Sequence, residues 1–129
     1  MDLPKNEAVF NIKYAGQTTG HIYEGDFKCL CVLTVGQKHQ VELEQTRLIA
    51  DHKNPTNGLA GLSLILANCR MRILDAPVWW QQSKGGADIM DEDCLIHLYD
   101  KLIEVEVQWR EQVKAKAKAL VEPTPKSAT

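Results

Sequence analysis

No stretch of this sequence is apolar for long enough to cross a membrane. The longest, Leu59–Ala67, is broken by Gly61 and Ser63 and falls far short of the roughly 20 residues a spanning helix needs. The opening residues, MDLPKNEAVF, lack the basic start and apolar follow-on of a signal peptide. No membrane association and no export are therefore expected. An excess of one charge is missing too, since 15 Lys and Arg stand against 17 Asp and Glu. Nothing here supplies a global basic field to hold a phosphate backbone, so no nucleic-acid partner is expected.

Chemical signatures are also scarce. The four cysteines, Cys29, Cys31, Cys69 and Cys94, show no pair of C-x₂₋₄-C knuckles. Cys29 and Cys31 share a face if the segment is a strand, and Cys94 and His97 share one on a helix. A zinc site joining them is geometrically conceivable, but free buried thiols are the better reading. The glycines fit neither a Walker A loop nor a dinucleotide fingerprint. No nucleophile elbow accompanies any Ser or Cys. The acidic group Asp88, Asp91, Glu92 and Asp93 lacks the glycine and distal glutamate of a calcium loop, and helix capping explains it. The expectations are no catalytic residue, no metal and no cofactor, hence not an enzyme. A metal- or thiol-dependent enzyme is the least favoured alternative.

What is present is a globular composition. Across 129 residues, 44% are hydrophobic and 25% charged, enough for a single core without staples. The fold class expected is α+β: an N-terminal antiparallel β-hairpin or small meander, then about three helices, the last long. Val9–Tyr14 reads as a strand and AGQTTG (15–20) as a turn. A second strand is expected over Gly20–Val35, interrupted near Gly25, ended by Gly36, and covered on both faces after Lys28. Gln37–His52 reads as an amphipathic helix anchored by Val41, Leu48 and Ile49, although VELE (41–44) would also suit a strand. NPTNG (54–58) reads as a loop. Leu59–Arg70 reads as a central helix packing through Leu62, Ile65, Leu66 and Cys69. Met71–Leu74 is expected to be extended ahead of Pro77, Val78–Ser83 to form one helical turn, and Gly85-Gly86 to break the chain.

The final helix is expected from about 91 to 118, with Asp88 or Asp91 as its N-cap. Leu95, Leu98, Leu102, Val105 and Trp109 recur at spacings of 3 and 4, with Ile96, Tyr99, Ile103 and Val107 as a second stripe beside them. The domain is taken as 1–113, with a basic helix end and disordered tail over 114–129. Such a helix is longer than the body beneath it. Its apolar stripe, continuing to Val113, calls for a cover from the same chain or from another protein. Trp79 and Trp80 are adjacent and cannot point the same way, so one ring at a protein contact is a fair expectation. The candidate protein-binding residues are Trp79, Trp80, Tyr99, Leu102, Trp109 and Val113.

Three segments together carry a resemblance: FNIKYAGQTTGHIYEGDFKCLCVLT, RMRILDAPVWWQQSKGGADIMDED and LYDKLIEVEVQWREQVKAK. In their order, and above all in Arg72–Asp88, the chain resembles small proteins of the morphogenesis clusters of tailed bacteriophages. These are the tail assembly chaperones and virion-assembly proteins. Its β-rich start differs from the mainly helical members. The resemblance implies a non-enzymatic protein in the host cytoplasm, or in the virion if retained, that coats a tape-measure protein or scaffolds tail assembly. Its partner would be a phage structural or tape-measure protein, and self-association into a homo-oligomer would fit. A structural virion component, such as a connector or minor head or tail protein, is the alternative.

Overall fold

The computed structural model describes residues 3–50 and 56–121, and the fold is α+β. Strands β1 (Ala8–Ala15) and β2 (Ile22–Cys29) form an antiparallel hairpin, and the short β3 (Ile73–Asp75) joins the other edge of β2, giving the order β1-β2-β3. Alternation sets the inner face of the hairpin. Ala8, Phe10, Ile12 and Tyr14 turn inward opposite Cys29, Phe27, Gly25 and Tyr23, as the two-residue period of a strand requires. The Phe10 and Phe27 rings stack at 5.4 Å.

Two helices lie over that face. Helix α2 (Asn57–Arg72) and the long α4 (Glu92–Val121) enclose Cys69, Leu95, Leu98 and Leu102 with Ile12, Phe27 and Trp80. Helix α2 is central, as its nearly continuous apolar surface implies. Its other side holds Ala67 against Val41 of helix α1 (Val35–Ile49) and against Leu33. Thr34 and Gln37 start α1 with a reciprocal capping box, and Thr56 caps α2. Helix α3 (Val78–Gln81) is a single turn against β2. It sits close because position 25 is glycine. A Cβ there would lie 2.3 Å from Pro77 Cγ, and the backbone adopts φ +148°.

Several boundaries depart from expectation: α2 continues through Met71 and Arg72, which were expected to be extended, so that only Ile73–Asp75 ahead of Pro77 is strand. The second strand ends at Cys29, not Val35, and Gly36 lies in the first turn of α1. The alternating apolar run after Lys28 is used differently. Leu30 N–H donates to the Arg72 carbonyl, and the Asn6 amide side chain bonds both the N–H and the carbonyl of Val32 at 2.8 and 3.0 Å. A side chain thus takes the place of a neighbouring strand, and Leu33 turns into the second cluster. VELE is helical. The expected loop 54–58 and the end of the helix expected at His52 lie partly outside the described residues, and Asn57 already belongs to α2. The tail from residue 122 also lies outside them.

Candidate functional site

The start of α4 is locked to the β1–β2 turn. Asp91 is fully buried and accepts four hydrogen bonds. Two come from the Thr18 and Thr19 N–H groups, at 2.8 and 2.9 Å, and two from the Thr19 and Tyr23 hydroxyls, both at 2.6 Å. Asp93 accepts from the Gln17 N–H and the Tyr14 hydroxyl. The turn forms a nest of N–H groups of the kind that binds anions, filled here by the chain's own carboxylates. Asp91 stands where an N-cap was expected, and its carbonyl accepts from Cys94 N–H. Its side chain, however, serves the hairpin rather than the helix. Hydrogen bonds from Thr19 and then Tyr23 hold its carboxyl down at about 2. The fit requires Gly16, where a Cβ would lie 2.1 Å from Asp91 Cγ.

Beside this lock opens a cleft of about 430 Å³, within the usual size range of ligand pockets. Its aromatic share comes from Tyr23 and Trp79, its aliphatic share from Ile89 and Met90, and its polar share from Thr19, His21, Gln82 and Asp88. Trp79 is fixed there: its indole N–H donates to the Glu24 carbonyl at 3.0 Å, and its ring meets Tyr23 and Phe27 edge-on. Met90 is 76% exposed, and Val78, next to Trp79 in α3, is 62% exposed. An exposed apolar side chain such as Met90, lining a cleft with a fixed aromatic ring, is the kind of feature found at protein contacts.

The Ser83 hydroxyl at the cleft is spent on the backbone. Ser83 is buried, its hydroxyl donating to the Trp80 carbonyl and accepting from Gly86 N–H, so it holds the turn that Gly85-Gly86 make with φ +65° and +91°. All four cysteines are free and buried. Burial raises each thiol, to about 11 for Cys29 and about 12 for Cys69 and Cys94, with the acidic charges of Asp93 and Asp91 adding to the last. They stay protonated near neutrality and lack the thiolate a nucleophile needs. Among the described residues no group of three or more His, Cys, Asp or Glu is placed to hold a metal ion. No helix among them is long and apolar enough to cross a membrane.

No protein-family model, curated protein or solved structure matches the chain.

The structure separates the six candidate residues. Trp79 lines the cleft. Trp80 is 7% exposed and Leu102 is fully enclosed, both inside the main core, so neither is open to a partner. Trp109 is half-buried, its indole donating to the Pro4 carbonyl at 3.3 Å. It lines a separate small hollow with Cys31, Val105 and Gln112. Tyr99 and Val113 are half-buried on α4. The stripe from Leu95 to Val105 is thus covered by the same chain, with the N-terminal segment reaching Trp109. What α4 leaves over is its second stripe, where Ile96 and Val107 are 44% and 47% exposed. The sequence reading missed Met90, His21 and Gln82. The one sign of them was the polar turn GQTTG in a chain that later carries DIMDED.

Proposed function

We propose that this chain is a non-enzymatic assembly protein of the tailed-phage kind, a tail assembly chaperone that holds an apolar helical segment of a partner such as the tape-measure protein. The observation that carries the reading is the Trp79 cleft, with the exposed Met90 in its wall. Arg72–Asp88, where the resemblance is strongest, supplies Trp79, Gln82, Ser83 and Asp88 to that cleft. A partner's leucine or methionine would lose its water against Trp79, Ile89 and Met90, and His21, Gln82 and Asp88 would bond the polar flank of its helix. One anchor of this size makes a small interface, and small interfaces suit transient complexes. A chaperone must release its client, so weak and reversible binding is an asset.

Met90→Asp is the direct test. Because position 90 adjoins Asp91, the urea midpoint of the variant is measured alongside, and binding is compared at conditions where the variant is fully folded. Affinity for a recombinant tape-measure fragment, measured by calorimetry, should fall at least about tenfold. Unchanged affinity for both Met90→Asp and Val78→Asp would contradict the proposal. Mass spectrometry of purified particles should find the chain absent, as a chaperone leaves and a virion component stays.

A further inference from the structure

We infer that the polar flank of the partner segment held in the Trp79 cleft is a cation, an arginine one helical turn from the apolar anchor. This rests on the cleft being a docking site and adds the chemistry of what docks there. Of the described residues that line the cleft, Asp88 carries a carboxylate and none is a lysine or arginine. A second carboxylate stands just behind the wall. Thr19 and Tyr23, both lining residues, donate their hydroxyls to one oxygen of Asp91 at 2.6 Å, and Asp91 is ionised at neutral pH. Two neighbours of opposite sign do not cancel this field. Lys84 comes only within 3.8 Å of Asp88, with the two side chains 80% and 53% exposed, a contact that water screens and a partner can replace. The positive end of α4 adjoins Asp91, but Glu92 and Asp93 in its first turn offset it.

Arginine suits the cleft better than lysine. A guanidinium is planar and weakly hydrated, lies on aromatic rings and donates hydrogen bonds in a fork. Tyr23 and Trp79 supply the ring surface, and the bond from the Trp79 indole to the Glu24 carbonyl at 3.0 Å keeps it rigid. Asp88 supplies a carboxylate, and the exposed Gln82 amide supplies a second acceptor. Ile89 and Met90 are left for the apolar anchor. Residues four apart on a helix share a face, so a single segment presents both groups. An acidic residue in place of the arginine would be repelled, and a neutral one would cover Asp88 without a counter-charge.

The probe is a set of alanine-rich helical peptides, each with a leucine and, four residues on, an arginine, a citrulline or a glutamate. Citrulline keeps the shape of arginine and loses its charge. The peptides are titrated into the isotope-labelled full chain at about pH 8, where an ordinary imidazole is neutral, so that His21 does not compete as a cation. The arginine peptide should move the magnetic resonance signals of the Trp79 indole and the Met90 methyl. The Trp109 indole, in a separate hollow, should stay in place. The arginine peptide should bind about fivefold more tightly than the citrulline peptide, and the glutamate peptide more weakly than either. Asp88 is exposed, so Asp88→Asn is expected to fold, and it should cut the arginine preference to within about twofold. Equal binding of the arginine and citrulline peptides at Trp79 overturns the inference and leaves the cleft reading standing. So does an arginine preference that Asp88→Asn leaves unchanged. Trp79 and Met90 signals unmoved by all three peptides overturn both.

Discussion

Asp91→Ala should shift the balance between folded and unfolded chain by about a hundredfold toward the unfolded, because it strands the buried Tyr23 hydroxyl and takes away the one acceptor that Thr18 and Thr19 of the exposed turn share. The Thr18 and Thr19 N–H groups and the Thr19 and Tyr23 hydroxyls all spend their hydrogen bonds on this one carboxylate. The alanine supplies no acceptor, and the packing around Gly16 leaves little room for the turn to find another. The same lock gives a pH signature. The Asp91 carboxyl is lowered from 3.8 to about 2, so the folded chain binds that proton less tightly than the unfolded one. Its contribution is whole above about pH 3.8 and is lost as pH falls through about 2. Tyr14 and Tyr23 behave in the opposite sense. The bond to Asp93 raises Tyr14 to about 12, and burial with the bond to Asp91 raises Tyr23 to about 12. Their contribution is whole below about pH 10 and lost as pH rises through about 12. Urea midpoints across pH should show both flanks in the wild type. In Asp91→Ala the acid flank should be reduced, and the Tyr23 share of the alkaline flank should shrink to what burial alone supplies.

Arg72→Ala should cost about 4 kcal/mol, the scale of breaking a buried ion pair from one side. The Arg72 side chain is 7% exposed. It bonds Glu106 at 2.7 Å, the Cys31 carbonyl at 3.2 Å and Asn68 Oδ1 at 3.3 Å. It thereby ties the end of α2 to the middle of α4 and to the segment leaving the sheet. Burial raises the Glu106 carboxyl, but the bonds from Arg72 and Arg110 outweigh it and hold it below the usual range. Removing Arg72 leaves that carboxylate with Arg110 alone. Chemical denaturation should show the loss, and Arg72→Lys should recover only part of it, since an ammonium cannot reach three acceptors in one plane. Against a typical total of about 5–15 kcal/mol, either substitution should leave the fold marginal.

The contrast between what was legible and what was not follows from range. The α4 helix was legible because its apolar residues recur locally at 3 and 4, and α2 because its apolar surface is nearly continuous. The β1–β2 hairpin showed in alternation and in the glycines of its turn. The false extension of β2 to Val35 had the same alternation. What ends the strand is Asn6 gripping Val32, together with Arg72 gripping Cys31, and neither pairing is visible in local pattern. Asp91 looked like a cap for the same reason, since its partners lie 68 to 73 residues earlier. At the candidate site, periodicity gave two stripes on α4 but could not say which faces inward. The stronger one, with Leu102, is core, and the weaker one remains outside. Trp79 and Trp80 were distinguishable as a pair pointing apart, but which ring meets the cleft depends on Gly25 letting Pro77 rest on the sheet. Met90 was silent because its meaning is exposure beside Trp79.

Placing a photo-reactive residue at position 90 asks most directly whether the cleft is where a partner sits. Illuminated while particles are being built, the chain should form one discrete adduct with a long helical tail protein, and the same residue at Val35 on α1 should give none. Adducts that are absent at position 90, or equally abundant at both positions, would contradict the account.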